Sequence, residues 1–127
     1  MYCIKTKQEL KEYVAKKLNQ YGNIDTFMKD VDTAVKEFNK AKKSYNYWTN
    51  IFRPFDNPKN GPEAFANSVA NSEKGPNSLY KRTMEEALWQ FEALTEAILE
   101  FATKNLDMKK FNAVERKVNT RRNRLNK

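Results

Sequence analysis

The sequence predicts an all-α fold, a small helical bundle built on two long antiparallel helices. Three observations carry that expectation. Apolar residues recur at alternating spacings of four and three over two long stretches, which is the period of a helix face. No stretch of useful length alternates apolar and polar residues as a half-buried strand does. All four prolines and two of the three glycines fall between residues 53 and 77, so the residues that break elements separate two uninterrupted halves. At 127 residues the chain fits one domain, 1–127, able to bury roughly two-thirds of its unfolded surface without a disulfide or metal to staple it.

Residues 6–21, TKQELKEYVAKKLNQY, read as a short amphipathic helix. Thr6 with Glu9 three residues later forms a capping box, and Leu10, Tyr13, Val14, Leu18 and Tyr21 fall on one stripe. Gly22 suits the position just past its end, where a left-handed residue closes a helix. The next helix spans about 25–52: Phe27, Val31, Ala34, Phe38, Ala41, Tyr45, Trp48 and Phe52 keep the four–three spacing throughout. A third, about 78–104, repeats it with Tyr80, Met84, Ala87, Phe91, Leu94, Ile98 and Phe101. At 1.5 Å per residue both are roughly 38–40 Å long, and their heptad-like seams suit coiled-coil packing, antiparallel within one chain or between two chains of a homodimer.

Between them lies a connecting segment, 53–77, rich in Pro, Gly and Asn, in which EAFANSVANSE suits a short helix through Phe65, Ala66, Val69 and Ala70. Asp107 suits the N-cap of a last helix outlined by Met108, Phe111, Val114, Val118 and Leu125, expected to fray after Arg121. The basic helix or tail so defined is 107–127.

Charge is concentrated in that last segment. Residues 107–127 hold eight Lys and Arg against two acidic residues, whereas residues 1–106 hold 16 against 14. Lysine outnumbers arginine 18 to 6, and asparagine occurs 15 times, the composition of an AT-rich genome. Against that bias, four of the six arginines fall between Arg116 and Arg124.

The available chemistry is narrow. Histidine is absent, which removes the commonest general base, zinc ligand and partner of a nucleophile. Gly22, Gly61 and Gly75 are too scattered to cradle phosphate. Asp30 and Asp32 lack the glycine and distal glutamate of a calcium loop. Neither enzymatic activity nor a metal or cofactor is expected. The lone Cys3 allows no internal disulfide and fits a reducing compartment. Without an apolar leader at the start or a membrane-length apolar run, the expected location is cytoplasmic, with no membrane partner.

Three surfaces remain. Lys109, Arg116, Lys117, Thr120, Arg124 and Lys127 gather on the helix face opposite Phe111, Val118 and Leu125, flanked by Arg121 and Arg122; such a face neutralises phosphates, with arginine supplying planar donors. Lys36, Lys40 and Lys43, in line with Lys29 and Tyr47, form a second basic row. Glu85, Glu92, Glu96 and Glu100 form an acidic stripe around Trp89. Trp89 is either an anchor for a partner or covered by another segment of the chain, and the stripe is a rival partner for the arginines. In YNYWTNIFRPF, Tyr47 and Phe55 lie outside the apolar seam, and Phe55 either caps the bundle or protrudes.

The expected function is therefore non-enzymatic: a small accessory or regulatory protein holding nucleic acid or another polyanion through Lys109, Arg116, Lys117, Arg121, Arg122, Arg124 and Lys127, with Lys36, Lys40 and Lys43 as a second patch. No helix-turn-helix spacing points to base-specific reading. An acidic protein surface is the other partner expected for the basic residues, and the alternative function is a protein-interaction module, an inhibitor or adaptor docking through Trp89, Tyr47 and Phe55 on a larger protein or ribonucleoprotein complex. Such a chain suits a phage or plasmid accessory gene that antagonises a host nuclease or defence complex.

Overall fold

The computed structural model describes residues 4–52 and 76–126, with side chains over 4–49 and 78–126. The described residues form four helices and no strand: α1 (Lys7–Tyr21), α2 (Ile24–Phe52), α3 (Pro76–Asn105) and α4 (Met108–Arg124). The short helix expected from residues 63–73 lies outside the described residues, as do Phe55 and Lys127.

Local chemistry accounts for the helix ends. Thr6, in an extended conformation, accepts a hydrogen bond from the Glu9 amide through Oγ1 at 3.2 Å, which satisfies one of the donors left open in the first turn. At the other end Gly22 adopts φ 65°, and its amide donates to the Leu18 carbonyl at 2.7 Å. That left-handed turn ends α1 and lets α2 begin two residues later. Helix α3 starts earlier than expected, at Pro76, because the first helical position needs no amide donor.

The bundle is organised around α3. Ala87, Phe91, Ala93, Leu94, Ala97, Ile98 and Ala102 are buried, and they cover far more of the helix circumference than one seam. The reason is that α1, α2 and α4 all pack on α3. Small alanines between the large residues let the neighbours approach closely. From α2 come Phe27, Met28, Val31, Ala34, Val35, Phe38 and Ala41, and from α1 the 4-spaced Leu10, Val14 and Leu18, each fully buried. Burying one such side chain stabilises by roughly 1.5–3 kcal/mol.

Two positions depart from the expected stripe on α1. Tyr13 and Tyr21 are 40% and 65% exposed, with the Lys17 ammonium 5.8 Å and 5.7 Å from their ring centroids. The apolar arc of α1 is narrow because, among the described residues, it packs chiefly on one helix, α3. Met108, also expected on an apolar stripe, is 79% exposed in the first turn of α4. No helix among the described residues is long and apolar enough to cross a membrane.

Ion pairs show the direction of α1. Lys7 Nζ lies 3.4 Å from Glu92 and 3.1 Å from Glu96, and Lys11 Nζ lies 2.8 Å from Glu100. Residue numbers rise together on the two helices, so α1 and α3 run the same way. The acidic stripe expected to compete for the arginines of α4 is thus bridged by α1 lysines at Glu92, Glu96 and Glu100. The complementarity is geometric: two lysines four residues apart face three glutamates at the same spacing, and one helical turn separates each level from the next.

Candidate functional site

Helix α4 begins where the Asp107 carboxylate accepts the Lys110 amide at 2.8 Å. It is anchored by Val114 and Val118, buried one turn apart, and by Leu125 just beyond its end. It continues to Arg124, one turn past the expected fraying point at Arg121. A side chain of α2 accounts for the extra turn. The Asn39 amide donates through Nδ2 to the Arg124 carbonyl at 2.8 Å and accepts the Asn126 amide through Oδ1 at 2.7 Å. One asparagine thereby closes a carbonyl that the end of a helix leaves open and the amide two residues beyond it. Basic residues in that last turn also suit the negative end of the helix dipole.

A second interhelical pairing lies four residues back. Arg121 Nε donates to Asp32 Oδ1 at 2.6 Å, Nη2 donates to Asp32 Oδ2 at 3.3 Å, and Nη1 donates to the Lys117 carbonyl at 3.0 Å. All three guanidinium nitrogens are engaged, and the side chain is 18% exposed. Arg121 therefore finds its internal carboxylate on α2, at Asp32, and not on the glutamate stripe of α3. Asp32 pairs with Arg121, and Asn39 with the Arg124 and Asn126 backbone, so α2 and α4 run in the same direction.

This register sorts the candidate residues. Going round α2 at 3.6 residues per turn, Lys36 and Lys43 fall within about 40° of the Asp32 position and Lys40 within about 80°; all three are exposed. On α4, Lys117 and Arg124 fall within about 60° of Arg121, on the flank next to α2. The α2 lysine row and the α4 basic row, separate in sequence, thus border one seam. Among the described residues the side chains of Lys36, Lys40, Lys43, Arg116, Lys117 and Arg124 form no ion pair. Lys109 and Arg116 lie further round α4, toward open solvent. Arg122 is on the opposite flank, where Nη1 donates to Asn119 at 3.2 Å. Asp25 and Asp32 are the carboxylates that interrupt the α2 side of the surface.

The aromatic candidates do not share one site. Trp89 is half-buried and packed against the core, on the same face of α3 as the bridged glutamates. Tyr47 is 60% exposed and meets Trp48 edge-on, with centroids 5.4 Å apart. It continues the line of the α2 lysines.

Two residues central to this arrangement carried no weight in the sequence. Asp32 stood out solely as an unsuitable calcium ligand, and Asn39 not at all. The available signal was a carboxylate and an amide seven residues apart interrupting a lysine face, which marks the line where another helix docks. Titration behaviour is perturbed on the other side of the bundle: hydrogen bonding to Glu96, against some desolvation, raises Lys7 above its ordinary 10.5, and hydrogen bonding to Glu100 does the same for Lys11.

Fold and surface together define a class: a small all-helical protein whose exposed cations from two helices border a single seam. No protein-family model, curated protein or solved structure matches the chain.

Proposed function

We propose that this protein acts by binding, without catalysis, and that its ligand is a polyanion, nucleic acid foremost, held on the seam between α2 and α4. The observation that supports this most is the pairing of α4 with α2 at Asp32 and Asn39, because Lys36, Lys40 and Lys43 on α2 and Lys117 and Arg124 on α4 then fall on the flanks that border one seam. Each phosphate neutralised by such a row releases condensed counterions, so affinity grows with the number of neutralised phosphates and falls steeply with salt. A surface of lysines and arginines favours backbone binding over base recognition. Arg116 and Lys109 extend the surface outward, whereas Arg121 lies within it, paired with Asp32.

The same reading has α2 and α3 pairing antiparallel, so that their apolar seams are satisfied within one chain. Its support is that Ala41 and Ser44, toward the end of α2, line one groove with Leu79, Tyr80 and Thr83 at the start of α3. The exposed Tyr47 favours a second reading, docking on an acidic protein surface, because an aromatic ring beside a basic row is a common interface anchor.

The test is binding of a labelled DNA duplex, followed by fluorescence anisotropy over a range of salt. Lys36→Gln, Lys117→Gln and Arg124→Gln in combination are expected to weaken binding and flatten its salt dependence. If the intact protein fails to bind duplex, single-stranded DNA, RNA or heparin at low salt, the polyanion reading is wrong and the acidic-protein reading takes its place.

A further inference from the structure

We infer that Asp32 is an internal counter-anion of this surface, occupying at Arg121 the position that a phosphate of the bound polyanion would take. The inference rests on the polyanion reading and deepens it by naming how the site is held in check. The Asp32 carboxylate meets Arg121 side-on, with Oδ1 on Nε and Oδ2 on Nη2. Carboxylate and phosphate both match this two-pronged donor set, because each presents a pair of oxygens at similar separation. The third nitrogen, Nη1, is bound to the Lys117 carbonyl, which holds the guanidinium plane in place whichever anion fills the fork.

The surroundings decide which anions can compete. Asp32 is itself half-exposed, with a side chain 45% accessible, so it can turn away into water. Moving it aside forfeits a charge-assisted pair. A single small anion gains little by doing so. A chain of phosphates also reaches Lys36, Lys117 and Arg124, which lie along the same seam, and their attraction offsets the loss of that pair. Asp32 thereby makes the surface respond to contiguous phosphates rather than to isolated anions. Helix α4 does not depend on Asp32 for its place, because Asn39, Val114, Val118 and Leu125 continue to hold it.

The experiment compares the intact protein with Asp32→Asn, Glu37→Gln, Arg121→Gln and the double variant Asp32→Asn/Arg121→Gln, using a short labelled DNA duplex in anisotropy. Glu37 is an exposed carboxylate further round α2, so its removal reports the general effect of one less negative charge. Asp32→Asn is expected to tighten binding about three- to fivefold beyond Glu37→Gln, the scale of an exposed ion pair. Its log–log salt slope is expected to steepen by up to about one unit, as for one more neutralised phosphate. In the Arg121→Gln background the advantage should vanish. A side-chain NMR measurement stands independently of the variants: adding the duplex to the intact protein should shift the Arg121 Nε–H signal. Equal gains for Asp32→Asn and Glu37→Gln, a gain that survives Arg121→Gln, or an unmoved Arg121 signal under saturating duplex would each overturn the inference while leaving the polyanion surface intact. If neither the intact protein nor any variant binds, the surface reading falls, and this inference with it.

Discussion

Replacing Asn39 with alanine isolates the clamp that joins α4 to α2. Asn39 makes two interhelical hydrogen bonds, at 2.8 Å and 2.7 Å, and a typical intramolecular hydrogen bond contributes about 0.5–1.5 kcal/mol net. Both partner groups lie at the surface end of α4, where water replaces part of what is removed, so the two together are worth about 1–2 kcal/mol. Alanine also favours the helix over asparagine by about 0.5 kcal/mol, which masks part of the effect. Asn46→Ala, at an exposed position of the same helix, measures that propensity gain by itself. The expected difference between the two variants is therefore about 1–2 kcal/mol, or roughly 4–8 °C in Tm for a domain of this size. Thermal melts followed by circular dichroism read the difference, and amide hydrogen exchange locates it. The Val118–Asn126 amides should exchange faster in Asn39→Ala, with the α1 and α3 amides little changed. Equal melting points for the two variants, with unaltered exchange at the end of α4, would refute the idea that Asn39 clamps that helix.

Other positions give sharp expectations. Trp89→Ala should cost about 2 kcal/mol in denaturant unfolding, less than a fully buried tryptophan because the side chain is partly exposed; a loss below about 0.5 kcal/mol would mark it as an ordinary surface residue. Gly22→Ala should destabilise by about 1–2 kcal/mol although nothing lies within 4 Å of the added Cβ, because φ 65° is strained for an L side chain; an unchanged Tm would contradict this. Lys7 and Lys11 are raised above 10.5 by their glutamate partners in the folded state. The stability they confer is thus fully present below pH 10.5 and lost as pH rises through their folded values. Lys7→Gln/Lys11→Gln should accordingly lose less stability than the intact protein in melts carried from neutral pH to above 10.5, and parallel losses would argue against the bridges.

The fold was legible where the physics is local. The four–three spacing on α2 and α3 marks residues that are buried over Phe27–Ala41 and Ala87–Ile98. Thr6, Gly22 and Asp107 announced the helix boundaries they occupy because capping uses a residue's own side chain or backbone freedom on its nearest neighbours. Long-range pairing was not legible. The glutamate stripe was visible, but its partners at Lys7 and Lys11 lie some 85 residues or more away in sequence, and charge alone made the arginines near residue 121 an equally good match. Helix direction, set by packing on α3, decided between them. For the same reason the spacing puts Tyr21 on an apolar stripe: periodicity gives the direction of a face but not its width, which depends on how many helices cover it. Arg121 illustrates the limit at the candidate site. Composition marks it as one cation among several, whereas geometry sets it apart as the one whose guanidinium is already filled.

The most direct test of the α2–α4 surface is a salt series of duplex-DNA affinities for four proteins: the intact chain, Lys36→Gln/Lys43→Gln on α2, Lys117→Gln/Arg124→Gln on α4, and all four substitutions together. A single surface predicts that each pair lowers the log–log salt slope by up to about 1.8, at about 0.9 for each phosphate no longer neutralised, and that the combined variant shows the sum of both reductions. Slopes insensitive to either pair, or sensitive to the α4 pair alone, would contradict a site shared between the two helices.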